Sequence, residues 1–147
     1  MADSVMGGRV LGLDVGERWI GVALSDPFGI LASPLTRIER MGAEVPVEAI
    51  RHLVIHHEVQ RIVAGMPYSM NGTLGQQAER VRNFLQELSQ SLEIPIETWD
   101  ERLSTVAAGR RMTEAKSGKG SRKAQIDAAA AAYILQGYLD AVRARQE

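Results

Sequence analysis

The sequence predicts an α/β fold in which a mixed five-stranded sheet, an antiparallel meander joined to parallel strands, is flanked by helices. Three observations predict it. Two apolar runs, Val10–Val15 and Trp19–Leu24, meet across Gly16, which reads as a hairpin. Ile62-Val63-Ala64-Gly65 follows a helical pattern without a polar side chain, as a parallel strand buried on both faces does. The elements then run in the order β-β-β-α-β-α-β-α-α, with no internal repeat. One domain over residues 1–147 is the expected organisation.

The first strand carries Asp14 inside Val10-Leu11-Gly12-Leu13-Asp14-Val15-Gly16. A carboxylate there is costly to bury unless a cation, a proton or hydrogen bonds compensate it. Turn capping, common for Asp beside Gly, accounts for it about as well when the stretch is taken alone. Ser25-Asp26-Pro27-Phe28-Gly29 reads as the next turn, and Ile30–Ile38 as a third strand edged by Pro34. Met41–Pro46 is expected to be a loop. A helix then runs from Val47 to about His57, with Val47, Ile50 and Val54 at helical spacing. His52 and His56 stand four apart, as two metal ligands would. No carboxylate occupies the place of a helical metalloprotease base, so they read as surface histidines.

After the parallel strand, Pro67 and Asn71-Gly72 give an ordered loop. Thr73 and Gln76 form a capping box, so a helix is expected from Thr73, with Val81, Phe84, Leu85, Leu88 and Leu92 on its core face. Free amides at that start, beside a strand end, make Asn71, Gly72 and Thr73 a candidate phosphate-binding loop. Pro95–Trp99 reads as the last strand, with Asp100-Glu101-Arg102 at its C-terminal end. Ser104 or Thr105 is expected to cap a helix carrying Val106, Ala107 and Met112, and Lys116–Ser121 to be flexible. The final helix, roughly Arg122–Ala144, packs through Ile126, Ala130, Tyr133, Ile134 and Leu135, and Gly137 lets a neighbour approach.

Composition bounds the function. Apolar residues make up 45% of the 147, which predicts a packed globule. Without cysteine there is no disulfide framework and no thiolate metal site. The start of the chain lacks signal-peptide character, and no apolar run approaches the roughly 20 residues that span a bilayer. A cytoplasmic protein without a membrane partner is expected. A net charge of −1 does not by itself point to nucleic acid. Arg110, Arg111, Lys116, Lys119, Arg122 and Lys123, however, cluster against the single acid Glu114. Such a cluster is commonly a solvated face, yet it can bind phosphates, because screening limits distant acids to about 10 Å.

Three carboxylates stand out: Asp14 in the first strand, Glu101 at the last strand's end and Asp127 on the final helix. The helix dipole favours an acid near a helix start by about 0.3–1 kcal/mol. It does not explain why Asp127 shares a face with Ala130, Ala131 and Ile134. If Glu101 ends a strand neighbouring the first, it comes close to Asp14. Carboxylate oxygens suit Mg²⁺ and Mn²⁺. Two such ions about 3.5–4 Å apart support phosphodiester cleavage.

Four stretches carry a resemblance to a known family: Leu11–Gly16, Gly65-Met66-Pro67 with Asn71-Gly72-Thr73, Asp100–Thr105, and Asp127–Ala130 followed by Ile134-Leu135-Gln136. They occur in family order, and the chain resembles the YqgF or RuvX family of pre-16S rRNA nucleases and Holliday-junction-resolvase-like proteins. The resemblance implies a ribonuclease H-like fold, with Asp14, Glu101 and Asp127 as the acidic metal-binding set for two Mg²⁺ or Mn²⁺ ions. It implies a nuclease that matures the 5′ end of pre-16S rRNA. Arg102 and Lys123 lie at or beside family motif positions and are candidates for phosphate contact, together with Arg110, Arg111, Lys119 and Arg122. The expected partners are structured RNA, as in ribosomal precursor particles, or branched DNA, bound by a monomer or homodimer.

Two competing functions follow. A Holliday junction resolvase would apply the same chemistry to branched DNA, with a dimer placing two sites on two strands. A non-catalytic ribosome-assembly factor would bind nucleic acid and tolerate Asp14→Asn. The Asp14-Val15-Gly16 turn also looks like the first phosphate loop of actin-like kinases, but those need two such domains.

Overall fold

The computed structural model describes residues 8–42, 44–68, 75–101 and 121–146. Five strands and three helices lie within them: β1 (Arg9–Val15), β2 (Trp19–Ser25), β3 (Ala32–Glu39), α1 (Pro46–His57), β4 (Val59–Met66), α2 (Gln76–Ser89), β5 (Ile96–Asp100) and α3 (Ser121–Gln146). The strands form one sheet in the order β3-β2-β1-β4-β5. β1 to β3 are the expected antiparallel meander, and β1·β4 and β4·β5 pair in parallel. β1 is central. Edge strand β3 tolerates Pro34, and the register against β2 shifts there.

Alternation along the strands divides the core into two layers. Leu11, Leu13, Val15, Ile20, Val22, Leu24, Ile62, Ala64 and Met66 face α1 and α2, meeting Ile50, Val54, Val81, Phe84 and Leu88. Val10, Ala23 and Val63 face α3, where Ala131, Leu135, Tyr138 and Leu139 cover them. β4 is apolar toward both layers, which is why it lacks the alternation of an exposed strand.

The local signals account for most element ends. Pro46 opens α1, where a missing amide hydrogen costs nothing, and Glu58 closes it in the left-handed region at φ 55°. Asp26 organises the β2–β3 turn by accepting the amides of Phe28, Ile30 and Leu31 at 3.0, 2.7 and 2.7 Å. Gln136 of α3 fastens the same turn, accepting from the Ala32 amide and donating to the Ile30 carbonyl, each at 2.9 Å.

Two expectations need correction. Helix α2 begins at Gln76 on an extended Gly75 that offers no side-chain cap, rather than at Thr73. A capping-box pattern marks a plausible start, but the backbone turns helical only after Gly75. Tyr133, expected to pack, is 48% exposed, because α3 presents Ile134 and Leu135 to the sheet instead. The candidate loop Asn71, Gly72 and Thr73 lies outside the described residues, as does the region 102–120 with its expected helix and flexible stretch.

Candidate nuclease site

The site is organised by one row across the sheet. β1 pairs Asp14 with Gly21, and β3 pairs Arg37 with Gly21. Leu13 lies opposite Ala64 in the parallel β1·β4 pair, so one step further sets Gly65 beside Asp14. Gly65 in turn pairs with Trp99 of β5. The row is therefore Arg37–Gly21–Asp14–Gly65–Trp99. Residues opposite one another share a face, and this face is the one α3 covers.

Glycine on both sides of Asp14 leaves space that the backbone of Asp127 enters on one side and the carboxylate of Glu101 on the other. A Cβ on Gly21 would collide with the backbone carbonyl of Asp127. A Cβ on Gly65 would lie 3.0 Å from Glu101 Oε1 and 2.5 Å from Ile134 Cδ1. Glu101 follows β5, which is not the neighbour of β1 that the sequence suggested; β4 intervenes. Its side chain reaches over Gly65 because nothing stands there. Gly12, further back on β1, admits α3 in the same way, with Leu135 Cβ 2.7 Å from where its own Cβ would be. All three acids are only partly buried.

Arg37 supplies the opposing charge. Its Nη1 donates to Asp127 Oδ2 at 3.1 Å, and its Cζ lies 3.4 Å from the centroid of the Trp19 ring. Its side chain is 17% exposed, against 31% for Asp127. Sequence reading passed over Arg37 and Gly21, and took Gly65 only as part of the Gly65-Met66-Pro67 stretch. The one local trace was glycine inside two apolar strands, a mark of close backbone approach; Arg37 carried none.

The donor set, carboxylate oxygen throughout, has the chemistry that Mg²⁺ and Mn²⁺ prefer. The side chains are not drawn into a ligand shell: among the described residues no three acids or histidines are grouped closely enough to hold an ion. His52 pairs with Glu44 at 2.8 Å on an exposed helix face, and His56 and His57 contact edge to face at 4.7 Å. Burial and then the charges of His56 and Arg9 push the pKa of His57 down. Of the basic candidates, Lys123 is exposed near the start of α3. Arg102, Arg110, Arg111 and Lys119, and the side chain of Arg122, lie outside the described residues.

A family model described as "RuvX: Holliday junction resolvase" matches residues 8–141. The chain belongs to the RuvX family. A RuvX relative from Clostridium kluyveri, named "Putative pre-16S rRNA nuclease", is 48% identical over 134 residues, covering 91% of this chain and 98% of its own. A relative of the same name from Desulforamulus reducens is 48% identical over 132 residues, covering 90% and 96%. Among solved structures, Thermus thermophilus RuvC in complex with a Holliday junction substrate matches with a TM-score of 0.55 and 12% identity, over 92% of this chain and 96% of that one. That likeness establishes the ribonuclease H-like fold expected for RuvX proteins. No helix among the described residues is long and apolar enough to cross a membrane.

Proposed function

We propose that this RuvX chain is a divalent-metal-dependent endonuclease that hydrolyses phosphodiester bonds, processing the 5′ end of pre-16S rRNA in the cytoplasm. The observation that carries the reading is the flanking of Asp14 by Gly21 and Gly65, with Asp127 above one glycine and Glu101 above the other. An α/β packing needs no acid at either place. The curated relatives carry the pre-16S rRNA nuclease name over nearly the whole chain.

In this reading Asp14, Glu101 and Asp127 would together hold two Mg²⁺ or Mn²⁺ ions. Ions held there would supply an activated water and offset charge at the leaving oxygen. The chain's own residues place the phosphate. Exposed Lys123, with Arg102, Arg110, Arg111, Lys119 and Arg122, neutralises backbone charge, so binding falls steeply with salt. Asn71, Gly72 and Thr73 bound the same end in sequence and are assigned to the substrate loop. The domain acts as one unit over residues 1–147, as a monomer or homodimer.

Junction resolution is the second reading, favoured by the family description and by the shared fold with RuvC. The test is cleavage of a labelled pre-16S rRNA 5′ leader beside a four-way DNA junction, in Mg²⁺ or Mn²⁺, with EDTA and Asp14→Asn controls. Metal-dependent cutting that falls at least about 100-fold in the variant supports the carboxylate site. The preferred substrate decides between ribonuclease and resolvase. Binding of both without cutting either would move the non-catalytic assembly factor ahead.

A further inference from the structure

Arg37 sets a positive charge beside one of the three acids. Carboxylates brought to one end of a sheet repel one another unless a positive charge stands among them. Arg37 comes from edge strand β3, where it pairs with Gly21, and the backbone carbonyl of Asp127 packs over that same glycine. Its guanidinium sits over Trp19, with Cζ 3.4 Å from the ring centroid, and donates to Asp127 Oδ2 at 3.1 Å. Both contacts leave it largely shielded from solvent, at 17% exposure. The carboxylate it holds is one of the three that a divalent ion would use.

We propose that Arg37 is the resting counter-cation of this end of the sheet: it holds the Asp127 carboxylate in the metal-free protein and competes with divalent ions for it. The inference rests on the metal-binding reading of Asp14, Glu101 and Asp127. Two cations next to one carboxylate repel each other, so an ion that takes Asp127 weakens the Arg37 pair. The guanidinium then keeps only its stack on Trp19 and turns toward the groove between β3 and α3. That groove has a volume of about 610 Å³ and is lined by Leu35, Thr36, Arg37, Gln125 and Ala128. Arg37 is thus a positioning residue acting through Asp127.

The test measures Mn²⁺ binding by calorimetry, and thermal unfolding with EDTA or Mn²⁺, for the wild type, Arg37→Gln, Arg37→Lys and Asp14→Asn. With its competitor removed, Arg37→Gln should bind Mn²⁺ about tenfold more tightly, a coupling of ordinary size. Arg37→Lys keeps the charge but loses the planar stack, so it should fall between Arg37→Gln and wild type. In EDTA, Arg37→Gln should melt below wild type, yet gain more on adding Mn²⁺. A merely structural arginine would lower the first value without enlarging the second. If Arg37→Gln binds no more tightly than wild type while Asp14→Asn loses the ion, the competition is overturned and the metal site stands. If no binding depends on Asp14 in any variant, both readings fall together.

Discussion

The carbonyl oxygen of Asp127 occupies the place that the Cβ of any larger residue at Gly21 would need. Helix α3 therefore meets β2 backbone against backbone at its second turn, and this contact sets the height of Asp127 above the sheet. A carbonyl cannot rotate away as a side-chain tip can. Gly21→Ala is expected to lift the start of α3 and to cost about 1–3 kcal/mol, the usual range for overpacking. Urea unfolding reads it directly, and a variant as stable as wild type would show that α3 gives way freely.

Gly65→Ala makes the contrasting case. Its new methyl meets the tip of Ile134 at 2.5 Å and Glu101 Oε1 at 3.0 Å, both movable side-chain ends. Stability should fall by only about 0.5–1.5 kcal/mol, the cost of a strained rotamer. Cleavage should suffer more, by at least about tenfold, because Glu101 is displaced. Equal, small losses in both measurements would argue against a role for Glu101.

Asp26 gives the acid limb of stability a local origin. Partial burial alone would raise its pKa, but the amides of Leu31, Ile30 and Phe28 outweigh that and hold it below the ordinary 3.8. A depressed folded pKa adds stability that is complete above the ordinary value and disappears as pH falls through the folded one. Asp26→Ala should cost about 1 kcal/mol near neutrality, discounted for exposure of the turn. The gap from wild type should close below about pH 3.8, where the native carboxyl also protonates. A pH-independent gap would mean that shape, not charge, holds the turn.

At the alkaline end the reporter is Tyr138, whose hydroxyl donates to Glu97 Oε2 at 3.1 Å beside the Arg61–Glu97 pair. Burial, then the Glu97 carboxylate, pushes its pKa above the ordinary 10.0, with Arg61 pulling the other way. A raised folded pKa means stabilisation present below the ordinary tyrosine range and lost as pH climbs through the folded value. The ultraviolet tyrosinate titration should show a late step that Tyr138→Phe removes. At neutral pH the same variant should lose about 0.5–1.5 kcal/mol. A titration unchanged by the substitution would exclude the network as its source.

What the sequence made legible follows from locality. Asp14 stood out because a charge in an apolar strand violates a short-range pattern, and the β1–β2 hairpin rests on neighbours in the chain. Ile134-Leu135-Gln136 was visible as a motif, but its reason was not. Ile134 covers Gly65, Leu135 covers Gly12, and Gln136 binds the β2–β3 turn, partners at least 69 residues away. The route of Glu101 over Gly65 depends on β4 standing between β1 and β5, a fact of sheet order that no window of sequence contains. Arg37 meets Asp127 across 90 positions. Nothing beside either residue announces the other.

The placing of the three acids on β1, after β5 and on α3 also sets an order in time. Synthesis from the N-terminus makes every strand of the sheet before the residues of α3. Asp14 and Glu101 can then share one end of the sheet, but Asp127 joins them only when the last helix docks. Arg37, made early on β3, waits for that partner too. The growing polypeptide thus carries its acids in an unfinished arrangement while it is still attached to the machine whose RNA its relatives are named for processing.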